Sequence, residues 1–275
     1  VAFFRITLLV MCLLCSWNGT AWASDSGAAE AETDPYSFGK QCVADFRTLL
    51  AAPLDWEREE WQKAGWVLAI TAGLYLEDGS IRDSVQERRN EDTDRLARWT
   101  RPFGDIRVTA PLLAGFYYWG SRTGDEQATR AALLAGESLV VSGMLTAGLK
   151  LAGHRRRPDS GAPYDAWDGP GFSLDHDSFP SYHTASSFAI ATILSDVYRE
   201  KRYLPPLAYS LAALTGWSRV NDDVHWASDV FAGAVIGYAT AKMVLAGHSD
   251  AGRKISLQPT FGADGRTGLV GTVRF

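Results

Sequence analysis

Three stretches of the chain concentrate side chains able to hold and attack a phosphoryl group. In "KLAGHRRRP", Lys150 precedes Arg157-Pro158 by seven residues. An ammonium is a compact mobile charge and a guanidinium a planar fork, a pair suited to several oxygens of one phosphate. In "FPSYHTASSFA", Ser181 follows Pro180 at a natural N-cap position. A helix is expected to begin there with its free N–H groups pointing outward, where an oxyanion binds well. His183, in the first turn, is then placed to give a proton to a leaving group. In "SRVNDDVHWASD", His225 and Asp229 are four residues apart and share one face of a helix, so the carboxylate can hold the imidazole in a single tautomer and make it a nucleophile. Arg219, six residues upstream of His225, adds another fork. Each stretch alone also fits a structural role: a basic helix end balancing the dipole, an N-cap serine beside a surface histidine, or a surface His–Asp pair.

Together the stretches resemble the three-part signature of the type 2 phosphatidic acid phosphatase and vanadium haloperoxidase superfamily. That signature is Lys, six residues, Arg-Pro; then Pro-Ser-Gly-His; then Ser-Arg, five residues, His, three residues, Asp. Here these are Lys150 to Arg157-Pro158, Pro180-Ser181-Tyr182-His183, and Ser218-Arg219 to His225 and Asp229. The resemblance is strong over residues 107–245, weak before them and absent from the C-terminal tail. It implies an all-α helical bundle of the acid phosphatase/vanadium haloperoxidase type, with helix ends that bring these residues together. It also implies that His225 attacks phosphorus and carries a phosphohistidine, that Asp229 orients it, and that His183 is the general acid and later the base for water. Lys150, Arg157 and Arg219 would clamp the phosphoryl oxygens, with Ser181 and the N–H groups around Tyr182. No metal or cofactor is implied, since the cations supply the electrostatic stabilisation; vanadate enters only as a phosphate mimic or under a haloperoxidase reading. Tyr182 departs from the family's glycine. If that glycine only donates its N–H, a tyrosine with ordinary helical φ serves equally, and its ring then lines the mouth of the site and narrows the substrate range.

The elements that must position these residues are mostly helical by apolar periodicity: about 37–52, 56–76, 91–101, 107–121, 125–152, 183–200, 204–218 and 225–247. Residues 77–106 are charged and expected to be external. Residues 158–179 are too rich in Gly, Pro and Asp for a helix and read as a cover over a site. The tail 251–275 alternates apolar and polar residues around Asp264-Gly265, which predicts a short β-hairpin. The tryptophans at 56, 61 and 66 are expected to pack, His154 to face solvent, and His248 to lie in a polar linker. "DHD" at 175–177 reads as a solvated acidic loop rather than a metal site.

With 46% apolar residues the 275-residue chain can bury a substantial core, in one domain spanning 37–250. Residues 1–23, with Ile6 to Cys15 apolar and Ala21-Trp22-Ala23 before Ser24, read as a signal peptide, and 24–36 as a flexible leader. Cys42 is then unpaired, so stability must come from packing. The net charge of −5 argues against nucleic-acid partners. The apolar cores at 64–76, 108–120 and 204–217 are shorter than a membrane span, whereas 131–149 and 230–247 approach one but contain Glu137 and Lys242. The expectation is therefore a soluble body in the periplasm or cell envelope. The other arrangement is an integral inner-membrane protein with the site facing the periplasm. The function expected is an exported phosphatase acting on lipid phosphates or small phosphate esters, with a phosphate ester as its partner and no particular oligomeric state implied. A vanadium-dependent haloperoxidase and a catalytically silent envelope phosphate or lipid binder are the other readings.

Overall fold

Helix boundaries fall where side chains can satisfy the exposed N–H and C=O groups at helix ends. In a computed structural model, which describes residues 35–172, 177–250, 255–261 and 267–273, the helices are α1 (Pro35–Ala51), α2 (Arg58–Gln86), α3 (Glu91–Thr100), α4 (Ile106–Thr123), α5 (Glu126–Gly153), α6 (Tyr182–Val197), α7 (Leu204–Asn221) and α8 (Ala227–Asp250). Asn90 caps α3 by accepting from the N–H groups of Asp92 and Thr93. Asp105 and Asp125 do the same for α4 and α5. Gly124 closes α4 in the left-handed conformation, where glycine carries no Cβ penalty.

The fold is all-α, as expected, apart from an antiparallel pair of strands, β1 (Ile255–Phe261) and β2 (Thr267–Val273), with Ile255 opposite Val273. The turn expected at Asp264-Gly265 lies outside the described residues, as do the signal peptide and most of the leader.

Helix α6 packs against α5, α7 and α8. Its small residues Ala185, Ser186, Ala189 and Ala191 are buried and let neighbouring backbones come close. Helix α8 answers with Gly233 and Gly237, one turn apart. A Cβ on Gly237 would fall on the carbonyl oxygen of Ala185, and one on Gly233 on the carbonyl oxygen of Ser181, both well inside contact distance. This small-residue spacing sets the start of α6 directly on the first turns of α8.

Two expectations fail in instructive ways. Helix α2 runs ten residues past its expected end, and the charged stretch after Leu76, though mostly exposed as expected, is not external throughout: Asp78 is completely buried. Its polar composition suggested solvent, but its partners are polar groups from distant loops. The tryptophans do not all pack inward either: Trp56, just before α2, is half-buried, whereas Trp61 of α2 is exposed. Trp56 and Trp61 meet edge to face with centroids 5.0 Å apart, and Trp66 is 71% exposed, alongside Leu68 at 69%. Leu112, Tyr118 and Trp119 of α4 and Leu207 of α7 are likewise exposed. The apolar stretches therefore do not all serve as core. Exposed apolar surface of this extent marks contact with lipid or protein. By length and hydropathy, Glu126–Gly153 and Ala227–His248 could cross a membrane.

Because the α6–α8 contact depends on absent side chains, Gly237→Ala is expected to lower stability by about 1–3 kcal/mol through overpacking. Gly247→Ala, whose Cβ meets nothing within 4 Å, should be neutral or stabilising by up to about 1 kcal/mol. Thermal unfolding of the two variants beside the parent chain measures the difference.

Candidate active site

The expected site residues come from five separate places in the chain. Lys150 lies in the last turn of α5, Arg157 just beyond it, Ser181 to His183 at the start of α6, Arg219 in the last turn of α7, and His225 with Asp229 around the start of α8. Their mutual fields tie them together. Lys150 and Arg219 both act electrostatically on His225, Arg219 and Arg157 on His183, and Arg157 on Lys150 and Arg219. Two imidazoles and three cations thus share one neighbourhood at one end of the bundle.

Asp177 holds two of the cations in place. The Lys150 ammonium donates to the Asp177 backbone carbonyl and lies 3.5 Å from its carboxylate. Arg157 Nη2 donates to the same carboxylate at 3.1 Å. Arg219 Nη1 reaches Asp222 at 3.3 Å, while the Nε atoms of both Arg157 and Arg219 are buried with no acceptor. Donors left unpaired between cations suit an incoming anion.

Ser181 is the N-cap residue of α6, but its hydroxyl makes no cap bond. It accepts from the Thr184 hydroxyl at 3.0 Å, and the Ser181 N–H donates to the Asp229 carbonyl at 3.0 Å. The first turn of α6 thus keeps N–H groups without a side-chain cap. Tyr182 begins the helix proper and is not among the residues with positive φ. Its ring packs on Gly143 and lines a cleft of about 350 Å³ together with Ile106, Leu139, Val140 and Lys150. The carbonyl of His183 lies against Gly104, where any Cβ would collide with it.

His225 stands in the loop before α8 rather than on the helix as expected. Its Nδ1 is 3.7 Å from Asp229 Oδ2, ion-pair range rather than hydrogen-bond range, and has no closer partner. Burial, reinforced by the nearby cations, pushes the His225 imidazole down to about 3, against the opposing pull of Asp229. The ring is therefore neutral at neutral pH, the form a nucleophile needs. Burial and then Arg219 push His183 down to about 4.

The most heavily bonded group in the site is one the spacing of motifs did not single out. Arg155 is completely buried. It donates to Asp229 at 2.6 Å and Ser228 at 2.7 Å through Nη1, and to Asp78 at 2.8 Å and the Tyr164 carbonyl at 2.6 Å through Nη2. The rings of Tyr75, Trp167 and Trp226 surround its guanidinium carbon at 4.8, 5.4 and 5.4 Å. Asp229 also accepts from the Ser178 hydroxyl and the Trp226 N–H. In "HRRRP" the arginine nearest the proline drew attention, although three stood in a row. The sequence signal for Asp78 was an aspartate within an otherwise apolar helical run. Beneath the loop, Arg82 of α2 grips Asp223 with two bonds of 2.7 Å, and Asp223 takes the left-handed conformation at φ +61°.

Two histidines differ from expectation. His154 is buried, not solvent-facing; it closes α5 at φ 45°, and its Nδ1 pairs with the Gly169 carbonyl at 2.9 Å. His248 belongs to the last turn of α8, not to a linker. Of "DHD", Asp175 and His176 lie outside the described residues.

A family model described as PAP2 superfamily matches residues 131–253, which contain Lys150, Arg157, His183, Arg219, His225 and Asp229. Over this segment, somewhat less than half of its length, the chain is similar to the PAP2 superfamily. Among curated relatives the chain is 34% identical over 105 residues to a lipid A 1-phosphatase of Porphyromonas gingivalis, covering 38% of this chain and 20% of the relative. It is also 34% identical to lipid phosphate phosphatase 1 of Arabidopsis thaliana, covering 38% and 40%, and 30% identical to the probable lipid phosphate phosphatase 4 of the same plant, covering 54% and 56%. The chain thus spans less than two thirds of each of these relatives. Similar solved structures are Aquifex aeolicus LpxE, at 25% identity, TM-score 0.46, and coverage of 61% of this chain and 94% of that one, and a transmembrane PAP2-type phosphatidylglycerolphosphate phosphatase from Bacillus subtilis, at 20% identity, TM-score 0.47, and coverage of 78% and 96%.

Removing the Arg155 fork leaves the carboxylates of Asp78 and Asp229 facing each other in the interior. Arg155→Met is therefore expected to cost about 3–5 kcal/mol of stability. Adding Asp78→Asn to it should restore part of that loss, and denaturant unfolding of the single and double variants checks both.

Proposed function

We propose that this chain is a phosphoric ester hydrolase that acts on lipid phosphates at a membrane through a phosphohistidine on His225. The observation that carries this reading is the meeting of the buried His225 imidazole and the half-buried His183 imidazole with Lys150, Arg157 and Arg219, the Nε atoms of both arginines being buried and unpaired. Three cations beside the open first turn of α6 suit a tetrahedral dianion, and no metal is needed to balance its charge.

In this reading the phosphoryl oxygens lie among the three cations and the N–H groups of the α6 start. The His225 nitrogen turned away from Asp229 attacks phosphorus, the ester bond to the leaving oxygen breaks, and that oxygen takes a proton from His183. Asp229, anchored by Arg155 and Ser178, stabilises the positive charge that develops on His225. In the second step His183 removes a proton from water, water attacks the phosphohistidine, and His225 leaves with its electron pair. A phosphate dianion offsets Arg219 and Arg157, the cations that depress His183, so substrate binding itself promotes protonation of the acid.

A lipid substrate is favoured over a small ester by the apolar cleft between α4, α5 and Tyr182, whose lining includes Lys150, and by the exposed apolar faces of α2, α4 and α7. The named relatives act on lipid phosphates. We place the protein in a membrane of the cell envelope, with the segment at residues 6–15 as an export signal and the site on the outer side.

His225→Ala should abolish turnover. His183→Ala should slow a substrate with a poor leaving group, such as an alkyl lipid phosphate, by about 10²–10⁴-fold, while p-nitrophenyl phosphate loses far less; equal losses would contradict the general-acid role. Asp105 is the carboxylate that raises the His183 affinity for a proton. Asp105→Asn should therefore move the alkaline fall of kcat to lower pH, and a pH–rate profile reads the direction.

A further inference from the structure

Away from the phosphate site, helices α1, α5 and α8 bring Asp45, Glu137 and His248 together, one donor atom from each lying within 4.8 Å of the others. Helical rise places Glu137 about 20 Å along α5 from Lys150, so this cluster is no part of the phosphate cage. The three helices meet there through an apolar cluster that includes Cys42, Leu134, Ala135, Val244 and Leu245. Asp45 and Glu137 are 8% and 3% exposed.

The bonding within the cluster is incomplete on one side only. Glu137 Oε2 meets His248 Nε2 at 2.8 Å, and Asp45 Oδ1 accepts from Gln41 Nε2 at 3.1 Å. The second oxygen of each carboxylate, Asp45 Oδ2 and Glu137 Oε1, is buried without any hydrogen-bond partner. Two such carboxylates close together in an apolar interior repel each other and lack their lost hydration. A proton or a cation between them would relieve this, since a single imidazole offsets at most one of the two charges. A proton shared by the carboxyls would leave one negative charge against the imidazolium. A divalent cation would balance both carboxylates and use the imidazole as a neutral ligand.

We propose that Asp45, Glu137 and His248 bind one divalent transition-metal ion, zinc by their donor set, which fastens α1 to the α5–α8 pair. Two carboxylate oxygens and one imidazole nitrogen are a ligand set zinc accepts, whereas magnesium and calcium prefer oxygen alone. Gln41, one turn before Asp45, steadies its carboxylate in the way outer hydrogen bonds steady metal ligands. The ion would be structural, since no donor of the cluster reaches the phosphate cage.

The test uses the full chain, stripped with a chelator and then given zinc chloride or magnesium chloride. Zinc is expected to bind at one ion per chain by elemental analysis. At a concentration about 100-fold above its Kd it should raise the unfolding temperature by roughly 5–10 °C, with no comparable effect of magnesium. Asp45→Asn and His248→Ala should lose both effects, and His225→Ala should keep them. His248 is half-exposed near the end of α8, so its variant remains a usable probe if Asp45→Asn folds poorly. Zinc that is not retained overturns the proposal, as does equal retention by His248→Ala. So does a wild-type chain indifferent to zinc while Asp45→Asn is more stable, the mark of a shared proton.

Discussion

The site depends on one buried guanidinium. Arg155 is surrounded by protein on all sides, and its charge is tolerable only because Asp78 and Asp229 approach it from opposite elements while aromatic rings cover its faces. Desolvating three charges costs several kcal/mol each, which their attraction repays only with near-ideal geometry and no unused bonds. That requirement makes the arrangement unforgiving. The start of α8, the middle of α2 and the stretch leading into α6 must all be in register before the charges balance. Asp229 is thereby fixed by three donors, Arg155, Ser178 and the Trp226 N–H, and is held beside the His225 imidazole.

Around this anchor the bundle solves a second problem, which is to bring several helix ends to one point. The small faces of α6 and α8 allow backbone-to-backbone approach, so the N–H groups opening α6 lie next to the carboxylate that opens α8. Gly104 plays the same part from the side of α4, where its missing side chain admits the His183 carbonyl. Close approach of this kind contributes less by burying area than by fixing distances among the groups gathered at this end of the bundle.

Much of this was legible in the sequence. The helices follow from apolar periodicity, and five of them begin within a residue or so of where the pattern places them. The three motif stretches name the residues that meet at the bundle end, because spacing at helix termini is a local property. What was not legible is long-range. Asp78 and Arg82 belong to a charged segment that looks solvated until the loop at 222–229 is folded against it. His154 looks like one more basic residue of an exposed run until Gly169 and Gly171 close over it. Trp66 and Leu68 look like core until the bundle is assembled and they remain outside. In each case the residue's own chemistry allowed two environments, and only contacts from more than a dozen residues away decided between them.

The two-point grip of α2 on the loop that carries His225 has a mechanical consequence. Asp78 and Arg82 sit one turn apart on the same 29-residue helix, and they hold Ser228 and Asp223, the residues on either side of His225. A short turn left to itself would fluctuate as loops do. Clamped at both ends to a single rod, it takes on the stiffness of that rod, so the imidazole can swing about its own bonds while its backbone stays still.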